Sequence, residues 1–214
     1  MTVGCRPSGP SYRSGGSPRR RVVALTFDDG PAAITPRFLR VLENENVPAT
    51  FFLVGRQIAG HEALLNRMLR DGFALGDHTM THANVAGGRP STAREVEGPI
   101  GIIRRASGYR PCLFRAPYGA VSRRLIARAR ALGMASIEWN VDPRDWSRPG
   151  TGTIEHRILS ETRPGSIIIM HDGGGPRGQT LAALPHIIRA LRGRGYHFDT
   201  VPHLLGYRER TLLR

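Results

Sequence analysis

The sequence predicts an α/β fold built on a largely parallel sheet, and three observations carry that prediction. Short apolar runs and amphipathic stretches alternate about seven times over roughly 180 residues, the spacing of strand, helix and right-handed return. The acidic, histidine and arginine side chains that could do chemistry gather where apolar runs end, as they do at one face of a parallel sheet. No apolar run approaches the roughly 20 residues needed to span a bilayer, so a transmembrane segment is not expected. Pattern alone leaves a closed barrel and an open doubly wound sheet as the two arrangements.

The elements follow in chain order. Residues 1–21 are rich in Gly, Ser, Pro and Arg without periodicity, and read as a flexible basic leader ending in Arg19-Arg20-Arg21. Thr2-Val3-Gly4-Cys5 weakly resembles the end of a lipoprotein signal, but no apolar stretch precedes it and the leader reading is preferred. Val22–Phe27 gives the first strand; Thr35 caps the next helix, Pro36 opens it, and Phe38, Leu39, Val41 and Leu42 form its buried stripe. A strand at Ala49–Val54 precedes a helix at Glu62–Arg70, and Phe73–Gly76 is the third strand. Thr92 and Glu95 form a capping box for a helix that Gly98-Pro99 should break or kink. Strands at Cys112–Phe114, Ala135–Val141 and Ser166–Met170 then alternate with helices at Val121–Leu132, Thr153–Glu161 and Thr180–Arg194, the last bent by Pro185. A short strand at His197–Val201 closes a single domain spanning 22–207, leaving 208–214 as a tail.

All 31 basic residues are arginine, and the formal net charge is +14. The lack of lysine excludes Schiff-base and lysine-base chemistry and any phosphate loop ending in Gly-Lys-Ser/Thr. The charge would attract anionic polymers, though a merely solvated basic surface is the simpler reading. Nucleic acid has only this charge in its favour, with 7% aromatics and no recognised motif, so no nucleic-acid partner is expected. Two cysteines, Cys5 and Cys112, do not make a disulfide framework, and Cys112 reads as a small core residue.

The chemistry lies at the strand ends. Val22–Phe27 runs into Asp28-Asp29-Gly30, and Phe73–Gly76 into Asp77-His78, with His82 four residues on. Cys112–Phe114 runs into Arg115, Ala135–Val141 into Asp142 and Asp145-Trp146, and Ser166–Met170 into His171-Asp172. Singly, each has a plain structural reading: a turn at Asp28–Pro31, a surface charge at Arg115, a flexible glycine exit after Asp172. His78 and His82 would share one face of a helical turn and could form the edge of a metal site, although such pairs also arise by chance. Five reactive strand ends in one chain favour an enzyme.

The same residues resemble the polysaccharide deacetylases, the NodB-homology domain of carbohydrate esterase family 4. The resemblance rests on Thr26-Phe27-Asp28-Asp29-Gly30, His78-Thr79-Met80-Thr81-His82, Arg115-Ala116-Pro117-Tyr118, Asp142-Pro143-Arg144-Asp145-Trp146 and Ile167-Ile168-Ile169-Met170-His171-Asp172. Asp77 stands where the family usually has Asn, and Ile169-Met170 replaces a more leucine-rich pair. The resemblance implies a distorted (β/α) barrel of seven or eight strands. It also implies one divalent metal, Zn²⁺ with Co²⁺ or Ni²⁺ as substitutes, held by Asp29, His78 and His82. Asp28 would be the general base, oriented by Arg115; His171 the general acid, tuned by Asp145; and the Tyr118 N–H an oxyanion donor. Trp146 and Met170 would wall the acyl pocket.

The expected activity is removal of N-acetyl groups from an amino-sugar polymer or oligomer of the chitin or peptidoglycan type. O-deacetylation of acetylated xylan, hydrolysis of a small acylated metabolite, and an inert basic binding module are the alternatives. A monomer at an extracellular or cell-wall location is expected from the resemblance, and a cytoplasmic one stays open.

Overall fold

The computed structural model describes residues 2–87 and 92–211. Its centre is a parallel sheet whose neighbours, edge to edge, are β2 (Tyr12–Arg13), β7 (Ala135–Ile137), β6 (Leu113–Phe114), β5 (Ala74–Asp77), β4 (Ala49–Leu53), β3 (Val22–Gly30) and β8 (Ile167–His171). A short β9 (His197–Phe198) adds to the start of β3. The chain just past β7 returns to β8 through a parallel bridge between Val141 and Ile168. Val141 N–H donates to Ile167 O at 3.3 Å and Ile169 N–H to Val141 O at 3.1 Å. The sheet therefore closes on itself along a thin seam, which is the distorted barrel the family resemblance implied.

Helices α1 (Thr35–Asn44), α2 (Glu62–Arg70), α3 (Thr92–Ser107), α4 (Arg123–Ala131), α5 (Thr151–Glu161) and α6 (Gly178–Gly193) link the strands, with a one-turn α7 (Val201–Leu204) after β9. β3 is buried along nearly its whole length, as befits a strand paired on both sides within a covered sheet. Phe27 and Phe51 stack with ring centroids 5.1 Å apart, and Phe38 of α1 meets Phe27 edge-on at 5.4 Å. Leu65, Met68, Ile154, Ile158, Leu184 and Ile188 extend this core from the helices. No helix among the described residues is long and apolar enough to cross a membrane.

Several expectations are corrected. The leader is structured: β1 (Thr2–Arg6) pairs antiparallel with β10 (Arg208–Thr211), which also removes much of the expected tail. β2, from the same stretch, pairs with β7. Cys5 and Cys112 form a disulfide, which engages the Cys5 thiol and ties β1 to the entrance of β6. Small and turn-forming residues hid these strands because they are only five and two residues long.

Pro99 does not break α3, which runs from Thr92 to Ser107. A proline at 99 cannot donate to the carbonyl of Glu95, four residues earlier. That carbonyl instead accepts the N–H of Met80 at 2.9 Å. Glu95 also departs from the expected capping box: its carboxylate accepts from Thr81 N–H and Thr81 Oγ1, each at 2.8 Å. Thr35 lies inside α1 behind Ile34, and its hydroxyl accepts the Ala32 N–H at 2.9 Å.

Candidate active site

The site grows from an irregularity in β3. Asp28 pairs opposite Phe52 and Gly30 opposite Leu53, so Asp29 is an extra residue in the strand, and its φ is 72°. In a regular strand consecutive side chains point to opposite faces. The bulge re-aims Asp29, so both carboxylates line one cavity of about 420 Å³. Glycines make the room: a Cβ on Gly173 would collide with the Asp29 backbone oxygen, and one on Gly174 with Asp29 Oδ2.

His78 and His82 reach the same cavity from a loop after β5, not from a helical turn. Thr79 and His82 both have positive φ, 68° and 63°. Glu95 pins the loop through the three hydrogen bonds described above. His78 Nδ1 lies 2.9 Å from the Arg115 carbonyl, so this nitrogen carries the proton and Nε2 is left with a lone pair facing the cavity. Asp29 Oδ1 sits 3.5 Å from His78 Nε2 and 3.1 Å from His82 Nε2. The three ligand atoms fall within 4.8 Å of one another, and Asp29 Oδ1 is buried without a hydrogen-bond partner. Two imidazole nitrogens and a carboxylate oxygen converging on one point, with His78 held in the ligating tautomer, fit a divalent metal. Burial pushes the Asp29 carboxyl up, but the neighbouring imidazoles of His78, His171 and His82 outweigh it and hold it at about 2. Burial lowers the His82 pKa, with Asp29 pulling the other way, which keeps the ring neutral and able to ligate.

Asp28 faces His78 Nε2 at 3.8 Å through Oδ2 and receives Arg115 Nη1 on Oδ1 at 2.8 Å. Arg115 is fully buried, an arrangement tolerated because every side of its guanidinium is met. Nη1 also donates to Thr26 Oγ1 at 2.7 Å, Nε to Ile137 O at 3.1 Å and Nη2 to Glu138 O at 3.3 Å, while Phe52 stacks beneath at 4.0 Å. Across the cavity, His171 Nδ1 bonds Asp145 Oδ1 at 2.7 Å and the His171 N–H donates to Asp145 Oδ2 at 3.0 Å. Burial depresses the His171 pKa, but the hydrogen bond and charge of Asp145, with Asp28 and Asp29, more than reverse this and raise it.

Tyr118 adopts φ 64° in a short turn, with its ring edge-on to His82 at 4.8 Å, and Trp146 lies half-open at the rim. Both line the cavity. Met170 does not. Strand alternation sends Ile169 and His171 inward to the cavity and Met170 outward into the hydrophobic core, where it is fully buried. Ala116, Trp139, Asp142 and Ile169 complete the lining, and of these the sequence reading had no signal for Trp139.

Three buried groups behind the lining were also missed. Asp172 accepts from Thr35 Oγ1, and its N–H donates to the Asp28 carbonyl at 3.1 Å, bracing the bulge from below. Arg177 donates from Nε to Gly173 O at 2.7 Å and from Nη2 to Gly174 O at 3.1 Å, fixing the glycine loop over Asp29. Glu138 sits beside the Arg115 network with Oε1 unpartnered; burial first, then Asp28, pushes it up to about 7 against the pull of Arg115. Asp77 accepts the Thr79 N–H at 2.8 Å, and burial, with the nearby Glu95 charge adding to it, raises its pKa well above the ordinary carboxylate value.

A profile of the polysaccharide deacetylases matches residues 15–137. The chain belongs to the polysaccharide deacetylase family. Within that family it is 39% identical over 198 residues to a chitooligosaccharide deacetylase of Bradyrhizobium, covering 86% of this chain and 90% of the relative. It is 34% identical over 194 residues to a peptidoglycan-N-acetylglucosamine deacetylase of Bacillus cereus, covering 88% and 90%. A crystal structure of a peptidoglycan N-acetylglucosamine deacetylase bound to 4-naphthalen-1-yl-N-oxidanyl-benzamide superposes with a TM-score of 0.87 at 32% identity, covering 92% and 93%.

Proposed function

We propose that this protein is a divalent-metal-dependent hydrolase that removes N-acetyl groups from an amino-sugar polymer or oligomer. The observation that carries the reading is the placement of three metal donors, a paired carboxylate and a paired imidazole around one cavity. A divalent ion on Asp29, His78 and His82, with Zn²⁺ the best match to this donor set and Co²⁺ or Ni²⁺ as substitutes, supplies Lewis acidity toward water and the acetyl carbonyl.

The remaining work belongs to side chains. Asp28, oriented by Arg115, takes the proton from water as the water oxygen bonds to the acetyl carbon. The Tyr118 N–H donates to the oxygen that becomes negatively charged. His171 gives a proton to the amide nitrogen as the C–N bond breaks, so acetate and a free amine leave. An amine departs poorly unless protonated, which explains why the acid is tuned upward by Asp145. Ile169 and Trp139 wall the small acyl space, while Trp146 and Tyr118 stand at the entrance for a sugar ring.

An oxidising compartment is the natural setting for the Cys5–Cys112 disulfide, which supports an exported, wall-facing enzyme. The decisive assay measures acetate released by the metal-loaded protein from chitooligosaccharides, peptidoglycan, acetylated xylan and small N-acetyl amines. Release from the amino-sugar substrates alone is expected. Turnover confined to acetylated xylan would replace the amide reading with an ester one. Inhibition by 4-naphthalen-1-yl-N-oxidanyl-benzamide should accompany activity, and Asp29→Ala should lose metal and turnover together.

A further inference from the structure

A second concavity lies away from the catalytic cavity and shares no residue with it. It measures about 960 Å³ and is built from the loops entering β6 and β7 and from β1 with the segment after it. Those loops mark the amino-terminal end of the barrel, whereas the catalytic residues sit at the carboxyl ends of the strands. The two sites therefore open at opposite ends.

Four arginines line this groove: Arg6, Arg104, Arg110 and Arg130. All four are exposed, and none forms an ion pair among the described residues. Arg110 makes one internal bond, from Nη2 to Leu132 O at 3.0 Å. Arg67, Arg128 and Arg192, by contrast, each meet a carboxylate, on Glu43, Glu97 and Glu45. The described lining contains no Asp, Glu or aromatic side chain.

The groove is also firmly built. The Cys5–Cys112 disulfide, the Arg110 N–H to Val3 O bond of 2.9 Å and the bridge between Gly4 and Arg110 hold β1 against the loop at 108–112. A Cβ at Gly4 would come within 2.7 Å of Arg110 O, so only glycine lets the two segments meet this closely.

We infer that this groove binds a flexible anionic polymer linked by phosphodiesters, such as a polyol-phosphate chain. Guanidinium forks match phosphate oxygens in pairs, and four unneutralised forks along one trough suit a ligand with repeating charges. Single-stranded nucleic acid is disfavoured because the described lining has no aromatic side chain to serve as a stacking platform for bases. A duplex is disfavoured because its major groove is read by a protruding helix or ribbon, not by a trough. Binding here leaves the catalytic cavity open at the other end, so the enzyme could stay on a polyanion-bearing surface while it works on a neighbouring glycan. This inference is independent of which acetylated substrate is cleaved.

The test titrates full-length protein against fluorescent poly(glycerol phosphate) at several salt concentrations. Arg104→Gln with Arg130→Gln should weaken binding about tenfold and flatten the log–log salt slope by about 1.5, the share of two phosphate contacts. The pair Arg37→Gln with Arg40→Gln, exposed on α1 and equal in charge removed, should change affinity less than twofold. Both variants should deacetylate a neutral soluble oligosaccharide at the unaltered rate. Equal losses in the two pairs would reduce the effect to net charge and overturn the site. Equally tight binding of poly(dT) or polyglutamate of matched charge would overturn the phosphodiester assignment, as would no binding by the unsubstituted protein.

Discussion

Arg115 gives Nη1 to both Thr26 and Asp28 at the base of the cavity, so the proposed base is aimed by a cation that has no route to solvent. Among the described residues, the His171 ring is held in turn by Asp145 alone. The two halves of the proposed chemistry should separate under mutation. His171→Ala should abolish amide cleavage while bound metal, measured by atomic absorption, stays stoichiometric. Asp145→Asn should move the high-pH limb of kcat downward, because His171 owes its raised pKa to that carboxylate and loses its proton sooner without it. Glu138 offers a stability counterpart. Its folded pKa of about 7 exceeds the unfolded value, so the cost of ionising it is absent below about pH 4.5 and complete above about pH 7. Glu138→Gln, which keeps the shape, should therefore raise Tm by about 4 °C at pH 8 and leave it unchanged at pH 4. Met170→Ala should cost about 3 kcal/mol in denaturant unfolding as a core cavity, without altering acyl selectivity.

Most strands and helices were legible because their apolar periods are intact; α2 runs from Glu62 to Arg70, as its stripe predicts. What the periodicity could not show was local. The bulge at Asp29 needs a positive φ in a non-glycine residue, which no pattern encodes. Met170 was misplaced because a fully apolar strand such as Ile167–Met170 gives no phase, and only the position of His171 in the cavity sets it. His78 and His82 were found by their spacing, yet they meet through a loop braced by Glu95 and not through a helix. Glu95→Ala should weaken metal binding about tenfold in competition with a chromogenic chelator, with all three ligands intact, since it frees the loop that carries both histidines.

At the scale of the molecule, amino-terminal and carboxyl-terminal strands pair and one disulfide spans 107 residues of sequence. Reducing it should lower stability by roughly 3 kcal/mol, read as an earlier urea midpoint, while acetate release below the transition stays unaffected because the cavity lies at the other end of the barrel. The barrel itself is least secure where Val141 meets Ile168. Asp145 follows one side of that seam and His171 ends the other, so their paired hydrogen bonds also clasp the wall shut. Evolution therefore meets an asymmetry here. A lineage abandoning the reaction can discard His82 from its surface loop at little structural expense, whereas discarding Asp145 opens the barrel, so decay of function should begin at the metal and reach the acid last.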